Sequence, residues 1–335
     1  MIKKAEIFIH VGYPKTGTTY LQRAYFPYHP GILFAGSGGR IMRDIRNLHD
    51  FDYDEGRICD SLKEFVYDLR TNKKIVISNE GLIDTHYQIM VANRLCALQE
   101  KLDRKVKIII GIRNQFDYIY SMWKQSLQGG GGTLTFAQRF LENGEINPYN
   151  LHFPKTKYDK ITAVYFDLFG EDNVLVMLYE HLICEPSEFF GKLNDFMCVP
   201  HFGSVINHRR SNSSRRTNTN LSYSELAGII ALQLNKIFSS KNNNQPILQD
   251  SRLSRLVRSS LSIPNHKILN LRSILQDSRL SRLVRWISMK SDLENRKQFY
   301  KEKYQFQFVE YYNESNERLS RMLNLDLKSF GYPML

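Results

Sequence analysis

The chain has 335 residues, of which 42% are hydrophobic, and a formal net charge of +12 at pH 7. It is long enough to bury a sizeable core, either as one large domain or as a domain with additions. No apolar run approaches the roughly 20 residues that cross a bilayer, and the first residues run directly into a predicted strand, so we expect neither a membrane span nor a secretory leader. Its four cysteines lack the spacing of a zinc or redox motif, which favours a reduced, cytoplasmic protein.

The first predicted strand, residues 7–11, is followed by a glycine-bearing turn and a helix that starts near Leu21. The turn, GYPKTGTTY at 12–20, has the Gly12 to Gly17 spacing of a Walker A loop, but its lysine, Lys15, lies before the second glycine. Backbone N–H groups at such a strand–turn–helix junction form an anion site. A lysine inside the turn lies near a single phosphate and its bridging oxygen, which favours a nucleotide without a triphosphate tail.

Further strands and helices alternate along the first two-thirds of the chain. Short apolar runs at 74–78, 106–111 and 174–178 are typical of parallel strands covered on both faces. Helical patterns lie at 84–102, 115–127, 155–169 and 186–197. This alternation predicts an α/β fold: a P-loop-like domain, residues 1–204, with a central parallel sheet flanked by helices. The glycine run at 129–132 is either a loop or the hinge of a lid over the active site.

Polar residues follow several of these strands, at the edge where ligands bind in such sheets. Arg113 follows the 106–111 strand, and Ser121 on the next helix could complete a clamp for a second phosphate. Glu80 follows the 74–78 strand, and Tyr179 brings an aromatic ring to the end of the 174–178 strand. His10, within an apolar strand, is interpreted as a core histidine rather than a ligand.

Together these segments resemble the sulfotransferases that use 3′-phosphoadenosine 5′-phosphosulfate (PAPS). Residues 13–20 are similar to the 5′-phosphosulfate loop of that family, 110–121 to its 3′-phosphate segment, and 178–181 to the motif whose tyrosine contacts adenine. The resemblance covers about residues 5 to 200, and KSFGYP at 328–333 also resembles bacterial members.

The resemblance implies transfer of a sulfuryl group from PAPS to a hydroxyl or an amine, with Lys15 and Glu80 as the catalytic residues and no metal. Glu80 stands where many cytosolic members have a histidine base and where heparan-type members have glutamate, which favours a glycan or glycolipid-like acceptor. His86 is the alternative base. Tyr20 stands where many members have a stacking tryptophan. The implied PAPS ligands are Lys15, Thr16, Gly17, Thr18, Thr19, Tyr20, Arg113, Ser121, Tyr179, Arg209 and Arg210.

The last part of the chain, 205–335, is predicted to be a basic helical part of the same domain. Residues 205–290 contain 15 Lys or Arg against three acidic residues, and the sequence ILQDSRLSRLVR occurs twice, at 247–258 and 274–285. Each copy can form a basic amphipathic helix suited to peripheral contact with an anionic membrane, on the inner face for a cytoplasmic protein. The alternative is a tolerated duplication with a solvated charged face. Aromatic residues are scarce there, which argues against a nucleic-acid partner.

Two other functions stay open on these residues alone. One is a P-loop kinase that uses ATP and Mg²⁺ on a small molecule, and the other is a non-catalytic protein that binds polyanions or membranes through the basic region. The position of Lys15, and the lack of an aspartate of the Walker B type at the end of an apolar strand, favour the sulfotransferase over the kinase.

Overall fold

In the computed structural model the described residues are 6–68, 73–102, 104–129, 134–202 and 296–335. They fall into two compact units. Three segments, 6–115, 151–202 and 312–335, make up the first unit, and 116–150 together with 296–311 make up the second. The predicted boundary at 204/205 and both copies of the twelve-residue repeat lie outside the described residues, so those predictions stay predictions.

The strands, in chain order, are β1 (Ile7–His10), β2 (Ile32–Phe34), β3 (Lys74–Ser78), β4 (Val106–Ile112), β5 (Leu141–Glu142), β6 (Glu145–Ile146) and β7 (Val174–Leu178). The helices are α1 (Thr18–Tyr20), α2 (Gly39–Asn47), α3 (Glu55–Asp68), α4 (Gln88–Leu102), α5 (Gln115–Gly129), α6 (Phe136–Phe140), α7 (Tyr158–Phe169), α8 (Tyr179–Cys184), α9 (Pro186–Met197) and α10 (Arg296–Leu323). Short π and 3₁₀ turns, Leu21–Tyr25 and Phe26–Tyr28, continue α1. None of the helices in the described ranges combines the length and the apolar character needed to cross a bilayer.

The first unit is built on a five-stranded sheet in the order β2-β3-β1-β4-β7, with every neighbouring pair parallel. Ile9 of β1 is in register with Ile77 on one side and Ile108 on the other. The central strands are nearly continuous buried runs, rich in isoleucine and valine, as expected where helices cover both faces. The predicted α/β fold with a central parallel sheet is confirmed, and all the strand carboxyl ends lie at one edge.

Apolar faces of the flanking helices complete the core of this unit. One cluster joins Phe8, Val76 and Ile109 of the sheet to Phe190 and Leu193 of α9. His10 is also buried, with Nδ1 2.7 Å from Ser78 Oγ, and desolvation lowers its pKa to about 4. It is therefore a neutral core histidine at physiological pH, as predicted.

Several predicted boundaries were wrong by a few residues. Helix α4 begins at Gln88 rather than 84, because Glu80–Leu82 forms a 3₁₀ turn after β3 and residues 83–87 form turns and bends. Helix α7 begins at Tyr158 rather than 155, because Pro154–Thr156 forms a separate 3₁₀ turn. Strand β2 was not predicted, since three residues are too few to show a periodic pattern.

The second unit has its own aromatic core. The rings of Trp123 and Phe136 are 5.9 Å apart, and Tyr300 of α10 stacks on Phe136 at 5.4 Å. Strands β5 and β6 pair antiparallel across a turn in which Asn143 and Gly144 both have positive φ, a combination that favours tight hairpins. Helix α10 supplies the C-terminal helical element that the sequence predicted.

Candidate active site

The turn between β1 and α1 is shaped by two residues in the left-handed region. Lys15 has φ 67° and Gly17 has φ 84°. The amides of Tyr20 and Leu21 both donate to Gly17 O, at 2.9 and 3.1 Å, and are the first hydrogen bonds of the helix. The amides of residues 17–19 therefore precede the helical hydrogen-bond ladder, as they do in anion-binding turns of this type. That they bind a phosphate stays a prediction.

Glycines at this turn allow close approach of neighbouring elements. A Cβ on Gly17 would lie 2.5 Å from Leu182 Cδ2 and 3.6 Å from the Tyr179 ring. A Cβ on Gly111 of β4 would lie 2.9 Å from Thr16 Oγ1. Larger side chains at these positions would separate the turn from β4 and α8, so the glycines fix where the anion-binding turn lies.

Two of the three threonine hydroxyls in the turn donate to protein acceptors. Thr16, which is buried, donates to the Tyr13 carbonyl, and Thr18 donates to Glu80 Oε1. A hydroxyl has one proton, so in this arrangement these two groups can only accept from a ligand. Thr19 is partly exposed. The prediction that all three hydroxyls hold a 5′-phosphate stays a prediction.

Glu80 and Lys15 form an electrostatically coupled pair beside the turn. Burial raises the pKa of the Glu80 carboxyl, while the hydrogen bond from Thr18 and the charge of Lys15 act to lower it. Burial lowers the pKa of the Lys15 ammonium, and the charge of Glu80 opposes that change. A carboxylate whose pKa is raised towards neutrality is better suited to accept a proton.

The backbone turn that carries Glu80 is fixed by Asn79. The Asn79 side chain accepts from Gly81 N at 3.0 Å and donates to Ser37 O at 3.0 Å. Asn79 thus caps the 3₁₀ turn that begins at Glu80 and ties it to the loop after β2. His86, the alternative base, is exposed on the segment that precedes α4.

Arg113 and Tyr179 lie on the other side of the turn. Arg113 Nη1 donates to Lys15 O at 3.1 Å, and the guanidinium carbon lies 4.5 Å from the centroid of the Tyr179 ring. The hydroxyl of Tyr158 donates to Arg113 O at 2.8 Å, which fixes the backbone there. The structure therefore brings together Lys15, Glu80, Arg113 and Tyr179, which the sequence placed at separate strand ends.

The remaining predicted ligands have different surroundings. The Tyr20 ring lies 6.1 Å from that of Phe190 and packs on the core cluster beneath the sheet. Ser121 is partly buried on α5 and belongs to the second unit. Arg209 and Arg210 lie outside the described residues. The proposed contacts of Ser121, Arg209 and Arg210 with a 3′-phosphate stay predictions.

Sequence reasoning missed a polar link behind Arg113. The Asn114 amide donates to Glu180 Oε1 at 2.9 Å, and the Tyr332 hydroxyl donates to Glu180 Oε2 at 3.3 Å. The Asn114 side chain also donates to Gly331 O. The link anchors the 328–333 segment to the ends of β4 and β7. The resemblance of that segment to bacterial sulfotransferases was the available signal, but it did not indicate the partners.

A second polar group lies on the surface of α8 and α9. His181, Glu185 and Glu188 place one ligand atom each within 4.8 Å of one another, a spacing that a metal ion could bridge. Glu188 is also paired with Lys192 at 2.5 Å, and both carboxylates are exposed. Exposed acidic groups are commonly found together without a metal ion, so this arrangement carries no assignment.

Comparison with known proteins gives one family and several structural likenesses. The profile of the family described as "Sulfotransferase domain" matches residues 5–244. A sulfotransferase from Alicyclobacillus acidocaldarius has 17% identity and a TM-score of 0.45, with 69% of this chain and 95% of that one covered. The sulfotransferase domain of the Synechococcus PCC 7002 olefin synthase has 14% identity and a TM-score of 0.40, with coverage of 78% and 95%. Mouse sulfotransferase SULT7A1, solved with PAP, has 19% identity and a TM-score of 0.36, with coverage of 65% and 68%.

No curated protein sequence matches the chain significantly. The family match spans well over half of the chain, whereas the structural likenesses are too distant to support an argument. The match decides between the functions that the sequence left open, and the kinase and the non-catalytic binding protein are not supported. The chain belongs to the sulfotransferase family and is a PAPS-dependent sulfotransferase.

Proposed function

We propose that the protein transfers a sulfuryl group from PAPS to a hydroxyl, or an amine, of a glycan or glycolipid-like acceptor, with Glu80 as general base. The observation that carries this proposal is the hydrogen bond from Thr18 to the Glu80 carboxylate. It joins the proposed anion-binding turn to the first carboxylate after β3. A proton acceptor next to the turn that holds the departing phosphate is the arrangement that sulfuryl transfer requires.

The residues at the strand ends match the groups of PAPS in chemical type and in their order along the sheet edge. Amides 17–19 and Lys15 suit the 5′-phosphosulfate, and Arg113 suits the 3′-phosphate, with Ser121, Arg209 and Arg210 as its further proposed ligands. The Tyr179 ring, already under the Arg113 guanidinium, suits the adenine. When bound, PAPS supplies the sulfuryl group and a good leaving group, the 5′-phosphate.

Each proposed catalytic residue has one task. Glu80 accepts the proton of the attacking hydroxyl, and its raised pKa makes it a stronger base than an exposed carboxylate. The Lys15 ammonium stabilises the negative charge that develops on the oxygen between sulfur and phosphorus. By analogy with phosphoryl transfer, a loose in-line transition state needs placement and charge more than covalent help. Lys15, Arg113 and the turn amides supply that charge, so we propose a reaction without a metal.

The acceptor and the location are proposed from charge. Residues 205–290 contain 15 basic and three acidic residues. This positive charge suits a protein in the cytoplasm that contacts the anionic inner face of the membrane, where a glycolipid-like acceptor would lie. Co-sedimentation with liposomes that contain anionic lipid, for the full chain and for a deletion of 247–285, tests this. Equal sedimentation of the two proteins would contradict it.

Cofactor and acceptor are tested in two steps. A thermal-shift comparison should show that 3′-phosphoadenosine 5′-phosphate (PAP) raises the Tm without Mg²⁺ and that ATP with Mg²⁺ does not. A larger response to ATP with Mg²⁺ would contradict the proposed cofactor. Incubation with ³⁵S-labelled PAPS and extracts of the source organism should then label a glycan or glycolipid fraction, and Lys15→Ala should label none.

A further inference from the structure

The strand order indicates from which side the acceptor reaches Glu80. The turn after β1 lies between the ends of β3 and β4. Arg113 and Tyr179 follow β4 and β7 on one side, whereas Glu80 follows β3 on the other. If the nucleotide occupies the β4–β7 side, the acceptor must approach along the ends of β3 and β2. The chemistry of those two ends therefore bears on which acceptor fits.

Arg46 lies at that side, directly on the backbone beside Glu80. A Cβ on Gly81 would overlap Arg46 Nη1 and would lie 2.9 Å from Arg46 Cζ. The guanidinium is thus packed on the residue that follows the proposed base. Arg46 is partly buried near the end of α2, and its Nε donates to Asn47 Oδ1 at 2.8 Å.

Within the described ranges, Arg46 forms no ion pair with an acidic residue, in contrast to two arginines near it. Arg40, on the same helix, pairs with Asp44 at 3.5 Å, and Arg94 pairs with Asp50 at 2.6 Å. Among the ion pairs of the described residues, none includes Arg46. A partly buried guanidinium whose one partner in the described part of the chain is an amide keeps its affinity for an anion.

The helix that carries Arg46 is fixed at its C-terminal end. Arg94 of α4 is only 6% exposed, and its Nη1 donates to Ile45 O at 2.8 Å and to Leu48 O at 2.9 Å. These bonds satisfy carbonyls at the end of α2 and hold it against α4. At the other end of α2, Asn79 holds the preceding loop through Ser37 O. The backbone that carries Arg46 is therefore fixed before any acceptor binds, and only the side chain has to be ordered on binding.

We propose that Arg46 binds an anionic group of the acceptor, a carboxylate or a phosphate, close to the hydroxyl that is sulfated. This inference rests on the proposed function, because it takes Glu80 as the base. The guanidinium Nη donors suit either anion. Neutral acceptors would gain nothing from Arg46, so the residue selects between acceptors and does not take part in the transfer.

The test uses three sugars that differ only at C6: methyl β-D-glucoside, methyl β-D-glucuronide and methyl β-D-glucoside 6-phosphate. Their affinities for the PAP-bound protein are measured by NMR titration. The unmodified protein should bind at least one anionic sugar about tenfold more tightly than the neutral one, as a charge-assisted hydrogen bond allows. Comparison of the glucuronide with the phosphate shows which anion is preferred.

Arg46→Gln should abolish that preference, and Arg40→Gln should keep it. Arg40 is the matched control, because it lies on the same helix, its side chain is 75% exposed and it pairs with Asp44. Gly81→Ala is a second test that leaves Arg46 intact. Gly81 has no positive φ, so the main effect of the added methyl is to displace the guanidinium, and the preference should fall as in Arg46→Gln.

Equal affinity for all three sugars, no binding of any of them, or a preference that survives in Arg46→Gln would each overturn the inference. PAP affinity is measured for every variant. If PAP fails to bind the unmodified protein, the proposed function fails first and this inference fails with it. If PAP binds and only the sugar preference is missing, the proposed function stands and the role of Arg46 is wrong.

Discussion

The Thr18 hydroxyl donates a hydrogen bond to the Glu80 carboxylate, across 62 positions of sequence. Thr18 is the first residue of α1, and its amide belongs to the anion-binding turn. Glu80 begins the 3₁₀ turn after β3. Because β1 and β3 are adjacent and parallel, their following residues meet at one edge of the sheet. A hydrogen bond therefore joins the proposed cofactor site to the proposed base, and the two proposed roles can be separated by mutation.

Removal of the Glu80 charge should stop turnover and spare the cofactor. Glu80→Gln keeps the shape of the side chain and an oxygen for the Thr18 hydroxyl, but it cannot accept the acceptor proton. We expect kcat to fall by about 100-fold or more, the usual contribution of a general base. The PAP Kd, measured by calorimetry, should change less than about threefold, which is below 1 kcal/mol. The reason is that Glu80 is not one of the proposed PAP ligands.

His86→Ala is the control for that experiment. His86 is exposed, and we expect the kcat of the His86→Ala variant to be close to that of the unmodified protein. The reverse pattern, with an active Glu80→Gln and an inactive His86→Ala, would make His86 the base and would leave Glu80 a structural carboxylate.

Loss of the Thr18 hydroxyl should move the acid limb of the pH–rate profile. The hydrogen bond from Thr18 lowers the pKa of Glu80, while burial raises it. Thr18→Val removes the lowering contribution, so the pKa of Glu80 should rise further. Since the ionised form is the base, the acid limb of kcat at saturating PAPS should shift to higher pH. Thr18→Ser keeps the hydroxyl and should keep the limb in place, and a shift to lower pH in the valine variant would contradict this assignment.

Much of the fold followed from local pattern. Strands 74–78 and 174–178 were predicted to the residue, because their apolar runs are bounded by polar residues or turns. Helix α9 begins at Pro186, where proline is favoured in a first turn. Helix α2 was not predicted, because its short sequence contains Gly39 and four charged residues and has no clear start signal.

The sequence predicted those site residues that directly follow a strand, because the positions of strand ends can be predicted. A parallel sheet brings its carboxyl ends to one edge, and this rule alone placed Lys15, Glu80, Arg113 and Tyr179 together. The contact between Arg46 and Gly81, and the link from Glu180 to Tyr332, depend on how distant segments pack. No spacing in the chain encodes such contacts. The direction of the Thr16 hydroxyl is likewise a consequence of the folded turn.

The backbone strain at Lys15 should lower the free energy of unfolding, while its ammonium should be needed for turnover. A residue other than glycine in the left-handed region is strained by about 1 kcal/mol or more, and Lys15 has φ 67°. Lys15→Gly and Lys15→Ala both lose the ammonium and should both lose most of kcat. The glycine variant should be the more stable of the two, by about 0.5–1 kcal/mol in urea unfolding, after allowance for the greater freedom of glycine in the unfolded chain. Equal stability of the two would show that the turn is relaxed at this position.

Arg113 should discriminate nucleotides by their 3′-phosphate. It follows β4 on the side of the turn proposed for the nucleotide, where its guanidinium stacks on Tyr179 and donates to Lys15 O. Arg113→Ala should weaken PAP binding by about 10- to 100-fold, the range expected when a charge-assisted phosphate contact is lost. The Kd of adenosine 5′-phosphate should change by less than about threefold, because this nucleotide lacks the 3′-phosphate that Arg113 is proposed to contact.

Arg113→Lys separates the charge of this residue from its geometry. Lysine keeps the positive charge but cannot reproduce the planar stacking on Tyr179 or the fork of donors, so PAP affinity should recover only in part. Calorimetric titration of both nucleotides against the unmodified protein and both variants gives the six dissociation constants needed. If Arg113→Ala weakens the two nucleotides equally, the residue acts through the Lys15 turn that it hydrogen-bonds, and the 3′-phosphate must be bound by other residues.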